Sequence, residues 1–157
     1  MAGGQLIVDG DTGDTAGGPC PGELRGMTGG ELIIFGKSGA YVGARQRGGV
    51  IAVGRSVAEC PGYQMLAGTL LVCQGELIAP GFGMGRGTII GFDATPRPLP
   101  TFCRDGLVGP VVLRLLWRRL TQLDFTLPKG IDDSLFLSFS GDLLGGHRGE
   151  LLYRHHG

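Results

Sequence analysis

Short apolar stretches recur along the first 93 residues, and each is bounded by glycine. They are Gln5–Val8, Glu31–Phe35, Val50–Val53, Thr69–Cys73 and Thr88–Ile90. Each stretch is too short for a helix and is rich in leucine or β-branched residues, which favours β-strands. The pattern therefore predicts five strands separated by glycine-bearing turns.

The glycines recur with a fixed period. Gly30, Gly49, Gly68 and Gly87 are each 19 residues apart, and a second series at Gly43, Gly62 and Gly81 keeps the same spacing. A period near 20 with one short strand per repeat indicates a solenoid. Strands that far apart cannot be joined by tight hairpins. We therefore expect parallel neighbours about 4.8 Å apart, each repeat closing one coil of a parallel β-helix.

Equivalent apolar side chains of stacked strands should form ladders. The expected ladder contains Leu6, Leu32, Ile51 and Leu70, or the immediate neighbours of these residues. The pattern leaves open which of the two sets points inward.

The first repeat aligns with the second at an offset seven residues longer than the period. The extra residues lie between Gly17 and Gly29, around PCPGELRGM. Insertions in solenoids go to loops on one face, which is often a contact face.

The repeat stops at Asp93, and PRPLP predicts a stiff linker. Pro110 is expected to begin a helix with Arg114 and Arg118 on its polar side. Its apolar stripe is formed by Leu113, Leu116, Trp117 and Leu120. We expect this helix to lie against the stacked strands or to cover one end of them.

Two more strands are expected in the tail, one near residues 135–140 and one at Glu150–Tyr153. The sequence before the second of these strands resembles the earlier repeats, so this strand is expected to return and pair with them. Residues 1–93 would then be the coils, and residues 94–157 would pack on them within one structural domain.

Composition narrows the function classes. Lysine plus arginine and aspartate plus glutamate both total 14, so no net charge favours nucleic acid or a membrane surface. No run of 18 apolar residues exists. The four cysteines form no CxxC pair and no signal peptide is evident, which favours reduced thiols in a cytoplasmic protein.

The segment Gly81–Gly87 is the strongest superficial match to a nucleotide-binding loop. Its third fingerprint glycine is replaced by Arg86, and a strand rather than a helix follows. A structural corner is therefore the favoured interpretation.

The remaining candidates also favour interpretations without a functional site. Asp9, Asp11 and Asp14 could hold a calcium ion, but they lack the spacing of a known calcium loop, so solvated turn carboxylates are favoured. Cys60 has no histidine nearby in the repeat, which argues against a nucleophile. The histidines lack paired ligands at metal-binding spacing. They are His147, His155 and His156.

Four arginines fall on the turns between the predicted coils. They could form a positive stripe for an anionic partner surface, or they could be ordinary solvated turn residues. They are Arg45, Arg47, Arg55 and Arg86.

The glycine-cornered repeats, followed by PTFCRDG, PVVLRLLWRRL and SGDLLGGHRGELL, resemble one family over nearly the whole chain. The chain is similar to the C-type subunit of formylmethanofuran dehydrogenase and, more closely, to its counterpart in the formyltransferase/hydrolase complex. The repeat alone is also similar to the GXGXG domain of the glutamate synthase large subunit.

The resemblance implies a right-handed parallel β-helix that acts as a structural subunit in one-carbon metabolism. It implies formyltransferase, amidohydrolase-like and dehydrogenase-related partner subunits, which carry the metals and use a methanofuran-type carrier. It implies no catalytic, cofactor-binding or metal-binding residue in this chain. Family members have a further N-terminal region, so we expect this chain to be short at that end. The alternative is a free-standing spacer module of an amidotransferase system.

Overall fold

The computed structural model describes residues 1–146 and 148–157. They form eight strands, one α-helix and two short 3-10 turns. The strands are β1 Ala2–Val8, β2 Gly29–Ile34, β3 Arg47–Val53, β4 Ala67–Val72, β5 Arg86–Gly91, β6 Cys103–Val108, β7 Phe136–Gly141 and β8 Arg148–Arg154. The helix is α1 Leu113–Gln122, and the 3-10 turns are Ile131–Asp133 and Leu143–Gly145.

The five repeat strands pair in parallel with their neighbours in chain order. Ile51 is in register with Leu32 on one side and with Leu70 on the other. These residues are 19 positions apart, as the period predicts. Each strand begins two or three residues before its apolar stretch, because the preceding glycines join the ladder. The prediction of five parallel strands is confirmed.

The tail strands complete a single sheet of order β1-β2-β3-β4-β5-β8-β7-β6. β8 returns to pair in parallel with β5, which places Leu151 beside Ile89. β7 pairs antiparallel with both β6 and β8, so the sheet is mixed at this end. The sequence did not predict β6, and α1 begins at Leu113 rather than at Pro110.

Both faces of the central sheet are buried, so both alternate sets of side chains lie in apolar cores. One ladder packs with residues of the corners, such as Val42 and Met65. It contains Leu32, Ile51, Leu70, Ile89 and Leu151. The alternate ladder lies under α1 and contains Ile33, Ala52, Leu71, Ile90 and Leu152. Leu6 is 52% exposed because β1 is an edge strand.

Helix α1 lies against the second face of the sheet. Its residues Trp117 and Leu120 are buried, and the Trp117 ring centroid lies 5.6 Å from that of Phe92. On its exposed side, Arg119 donates two hydrogen bonds of 2.7 Å to the carboxylate of Glu31 on β2. The helix therefore lies across the sheet rather than over its end.

Close backbone contact explains the first glycine series. Gly49 has φ +79°, and a Cβ there would lie 2.5 Å from the carbonyl oxygen of Gly30 in the preceding repeat. Gly149 on β8 is in register with Gly87 and continues the column, although the period did not reveal it. At Gly49, glycine is therefore required by the stacking distance as well as by φ.

Gly49→Ala and Gly4→Ala separate these two requirements. Both glycines have similar φ values, +79° and +75°, but nothing lies within 4 Å of a Cβ at Gly4. We expect both variants to carry the left-handed penalty, roughly 1–2 kcal/mol. Gly49→Ala should cost about 1–3 kcal/mol more because the added methyl is overpacked. Urea unfolding of both variants measures the difference, and equal losses would contradict the stacking argument.

Arg119→Gln tests the link between α1 and the sheet. Hydrogen bonding to Arg119 lowers the pKa of Glu31 from its ordinary value. A carboxyl with a lowered folded-state pKa stabilises the fold above its unfolded pKa, about 4.3, and loses that contribution as pH falls. We expect a small decrease in Tm at pH 7 that disappears near pH 2, measured by calorimetry. Arg118→Gln is the matched control, and an equal decrease at both pH values would refute the ion-pair explanation.

Candidate functional site

The glycine segment 81–87 is a folded corner. Gly81 N–H donates to the carbonyl of Pro61 at 2.8 Å, and Gly83 N–H donates to the carboxylate of Asp142 at 2.8 Å. A Cβ at Gly81 would lie 2.4 Å from the sulfur of Met84. Since backbone N–H groups that could hold a phosphate are already engaged, the structure supports the corner interpretation.

Asp142 is a buried carboxylate that sequence reasoning missed. Besides Gly83, it accepts a hydrogen bond from Leu144 N–H at 3.1 Å and so begins the 3-10 turn Leu143–Gly145. Its partner on the corner is 59 residues away in the chain, so no local pattern could reveal the contact. The residue holds the tail against the repeats.

Two of the three aspartates in the first repeat, Asp11 and Asp14, bond to the second repeat. The carboxylate of Asp11 accepts from Lys37 N–H at 2.7 Å, and that of Asp14 accepts from Ala40 N–H at 2.8 Å. Within residues 1–146 and 148–157 no three histidine, cysteine or acidic residues are grouped as metal ligands. These carboxylates therefore act in stacking.

His155 and His156 are both exposed, and each makes one hydrogen bond to the fold. His156 Nε2 lies 2.9 Å from the carbonyl oxygen of Phe92, and His155 N–H donates to Leu135 at 2.8 Å. His147 lies outside the described residues. Since the carbonyl can only accept, His156 uses one ring nitrogen as a donor to the fold.

Serine and carboxylate groups meet where β6, β7 and β8 adjoin, a combination that the sequence did not suggest. The hydroxyl of Ser138 lies 3.2 Å from Glu150 and 3.4 Å from Asp105, and Ser140 also bonds Asp105. An activated serine needs a base that takes its proton and donors for an oxyanion. The described contacts show carboxylates accepting from hydroxyls, which is an arrangement that ties strands together.

The cysteines are free thiols in contrasting surroundings. Burial, followed by the charge of Glu59, raises the pKa of Cys60. Burial raises the pKa of Cys73 to about 12. Cys20 and Cys103 are exposed. A raised pKa reduces the thiolate fraction, so Cys60 is poorly suited to nucleophilic attack.

Thiol titration at pH 8 tests this order of reactivity. We expect Cys20 and Cys103 to react quickly with Ellman's reagent, Cys60 slowly, and Cys73 only after unfolding. The fast phase should disappear in the Cys20→Ser/Cys103→Ser variant. Fast reaction of the remaining thiols would contradict the structural role assigned to Cys60.

Two of the four turn arginines lie together. Arg45 and Arg47 line one groove of about 340 Å³ with Leu24, Leu66 and Gly83, among others. The Arg45 guanidinium donates to the neutral amide oxygen Oε1 of Gln64 at 2.9 Å, and no described carboxylate forms an ion pair with it.

Arg86 lies at the same end of the parallel strands as Arg47, because Arg86 is the first residue of β5 and Arg47 is the first residue of β3. Arg55 follows the opposite end of β3 from Arg47. A single positive stripe that contains Arg55 together with the other three arginines is therefore wrong. The structure adds Arg148, which is the register partner of Arg86.

An aromatic column lies on the corners beside this groove. Tyr63 and Phe82 have rings 5.9 Å apart and nearly parallel, and the Tyr41 ring meets Tyr63 edge-on at 5.6 Å. Tyr41 is 36% exposed and Phe82 is 44% exposed. Gln64 and Gly83 of the groove directly follow two of these aromatic residues in the chain.

No helix in the described part of the chain combines the length and apolarity needed to cross a membrane. A scan of protein-family models and a search of curated proteins gave no match.

Among solved structures, the chain is similar to a chain in the crystal structure of the formyltransferase/hydrolase complex FhcABCD from Methylorubrum extorquens with methylofuran. The two share 34% identity with a TM-score of 0.85. The match covers 99% of this chain and 57% of that chain, so this chain spans a little over half of its relative. The resemblance to the formyltransferase/hydrolase complex is confirmed, and the chain is a relative of a subunit of that complex.

Proposed function

We propose that this chain is a non-catalytic structural subunit, equivalent to the C-type subunit, of a formyltransferase/hydrolase-type complex in one-carbon metabolism. The observation that carries the proposal is the 34% identity and TM-score of 0.85 over 99% of the chain. The relative belongs to a complex of several subunits, which supports a role in an assembly.

The candidate carboxylates are already hydrogen-bonded within the fold, which supports the non-catalytic part of the proposal. Asp11, Asp14 and Asp142 all accept backbone hydrogen bonds that join one repeat or segment to the next. Groups committed to holding the fold would have to break those bonds to bind or transform a substrate. The same contacts make the stack a rigid body on which other subunits could be arranged.

We also infer that the repeats wind as a right-handed parallel β-helix. The corners stack as the strands do: the N–H groups of Gly43, Gly62 and Gly81 each donate to the preceding repeat at 2.8 Å. Crossover connections between parallel strands of one sheet are right-handed in nearly all proteins. Repeated corner bonds and parallel strands together support one coil per 19-residue repeat.

In this proposal, formyltransferase, amidohydrolase-like and dehydrogenase-related subunits carry the reacting groups in the cytoplasm. Those subunits would bind the metals and the methanofuran-type carrier, and this chain would position them.

Affinity purification of the tagged chain from its native host tests the proposal. We expect the chain to elute in a high-mass complex with formyltransferase and amidohydrolase-like polypeptides identified by mass spectrometry. We expect the isolated chain to show no formyl transfer or formyl hydrolysis. Recovery as a lone species, or activity of the isolated chain, would overturn the proposal. Co-elution with a glutamine amidotransferase would instead support the spacer alternative.

A further inference from the structure

We propose that the corner face, defined by Tyr41, Tyr63, Phe82, Arg47, Arg86 and Arg148, is the docking surface for an acidic segment of another protein in the complex. This inference rests on the proposed function, since it names the surface by which the chain joins its complex. The face combines an exposed aromatic column with a row of arginines that form no ion pair with any described residue.

The aromatic column has the properties of an interface anchor. Aromatic and arginine side chains are enriched at the energetic centres of protein interfaces. Tyr63 and Phe82 stack at 5.9 Å, and their backbones belong to adjacent hydrogen-bonded corners, since Gln64 N–H donates to Phe82 O at 2.8 Å. Rings held in place before binding lose little side-chain freedom when a partner covers them.

The arginine row is electrostatically incomplete in the described chain. Arg86 and Arg148 are direct register partners on parallel strands, and both are exposed. Like charges opposite one another on neighbouring strands are unfavourable. Arg47 begins β3 on the same side of the sheet and is also exposed.

The ion pairs between described residues involve other arginines. They are Arg97–Glu76, Arg114–Asp133 and Arg119–Glu31. Because the whole chain has 14 acidic and 14 basic residues, this row reflects local segregation of charge. Carboxylates of a bound segment would relieve the Arg86–Arg148 repulsion and pair with the row.

A groove beside the column gives the segment its path. It has a volume of about 340 Å³ and runs between Leu24, which is 73% exposed, and Leu66, which is 40% exposed. Leu24 belongs to the insertion between the first two repeats, and Arg45 and Arg47 line the same groove.

At the other end of the column, the Tyr41 N–H donates to the backbone carbonyl of Glu59 at 2.9 Å, so an acidic residue adjoins Tyr41. Because leucines line the groove and arginines form the row, the fitting occupant is an extended peptide segment. Its apolar side chains would lie in the groove, and its Asp or Glu residues would lie opposite the arginines.

The test uses the full chain, tagged and purified from its native host as above. Arg47→Glu/Arg86→Glu reverses two charges of the face. The matched control, Arg55→Glu/Arg118→Glu, makes the same change at two exposed arginines elsewhere. We expect the face variant to recover at least tenfold less partner than the unsubstituted chain, and the control to recover a normal amount. Circular dichroism and Tm establish that both variants are folded.

A photo-crosslinking amino acid at Phe82 identifies the segment, and the same probe at exposed Leu115 is its control. We expect Phe82 to crosslink to an Asp- or Glu-bearing peptide of a co-purifying polypeptide. The inference would be overturned if the folded face variant recovered a normal amount of partner or if the control lost more partner than the face variant. Crosslinks to peptides without carboxylates would also overturn it. None of these results would count against the complex itself. Failure of the unsubstituted chain to recover any other polypeptide would instead refute the proposed function.

Discussion

Close stacking of backbone on backbone at the glycine column is the constraint on which the rest of the structure depends. The carbonyl of Gly30 occupies the space that a Cβ at Gly49 would need, and the same relation recurs along the column. This contact fixes the strand register, which aligns the apolar ladders on both faces. Gly149 is in register with Gly87, and a Cβ there would lie 2.5 Å from the carbonyl oxygen of Gly141, so glycine at this position lets β8 fit between β5 and β7.

A sheet buried on both faces leaves its edges, its corners and the outer side of α1 as the surfaces available to other molecules. The corners and interior bury one ladder, whereas α1 and the tail bury the other. The exposed apolar residues that remain include Leu6 on the edge strand and the aromatic column on the corners. Stacking thus explains the stability of the repeats, and it also displays side chains in regular rows suited to a partner surface.

Periodic features could be predicted from the sequence, and features that depend on distant pairing could not. The 19-residue spacing predicted the five parallel strands, and the stripe around Trp117 predicted the helix. β6 was missed because Arg104, Asp105 and Gly106 interrupt any apolar alternation. The inward set was ambiguous because both alternate positions are apolar. Arg148 and Asp142 acquire their roles only when the tail returns to the repeats.

A cryo-electron microscopy reconstruction of the complex purified through this chain tests the structural role most directly. The expected result is an intact stack of repeats whose corner face is covered by a carboxylate-bearing segment of another polypeptide. The formyl carrier and any metal should be bound by other chains. A corner face open to solvent while another surface makes the contacts, or a carrier bound within this chain, would contradict the structural role.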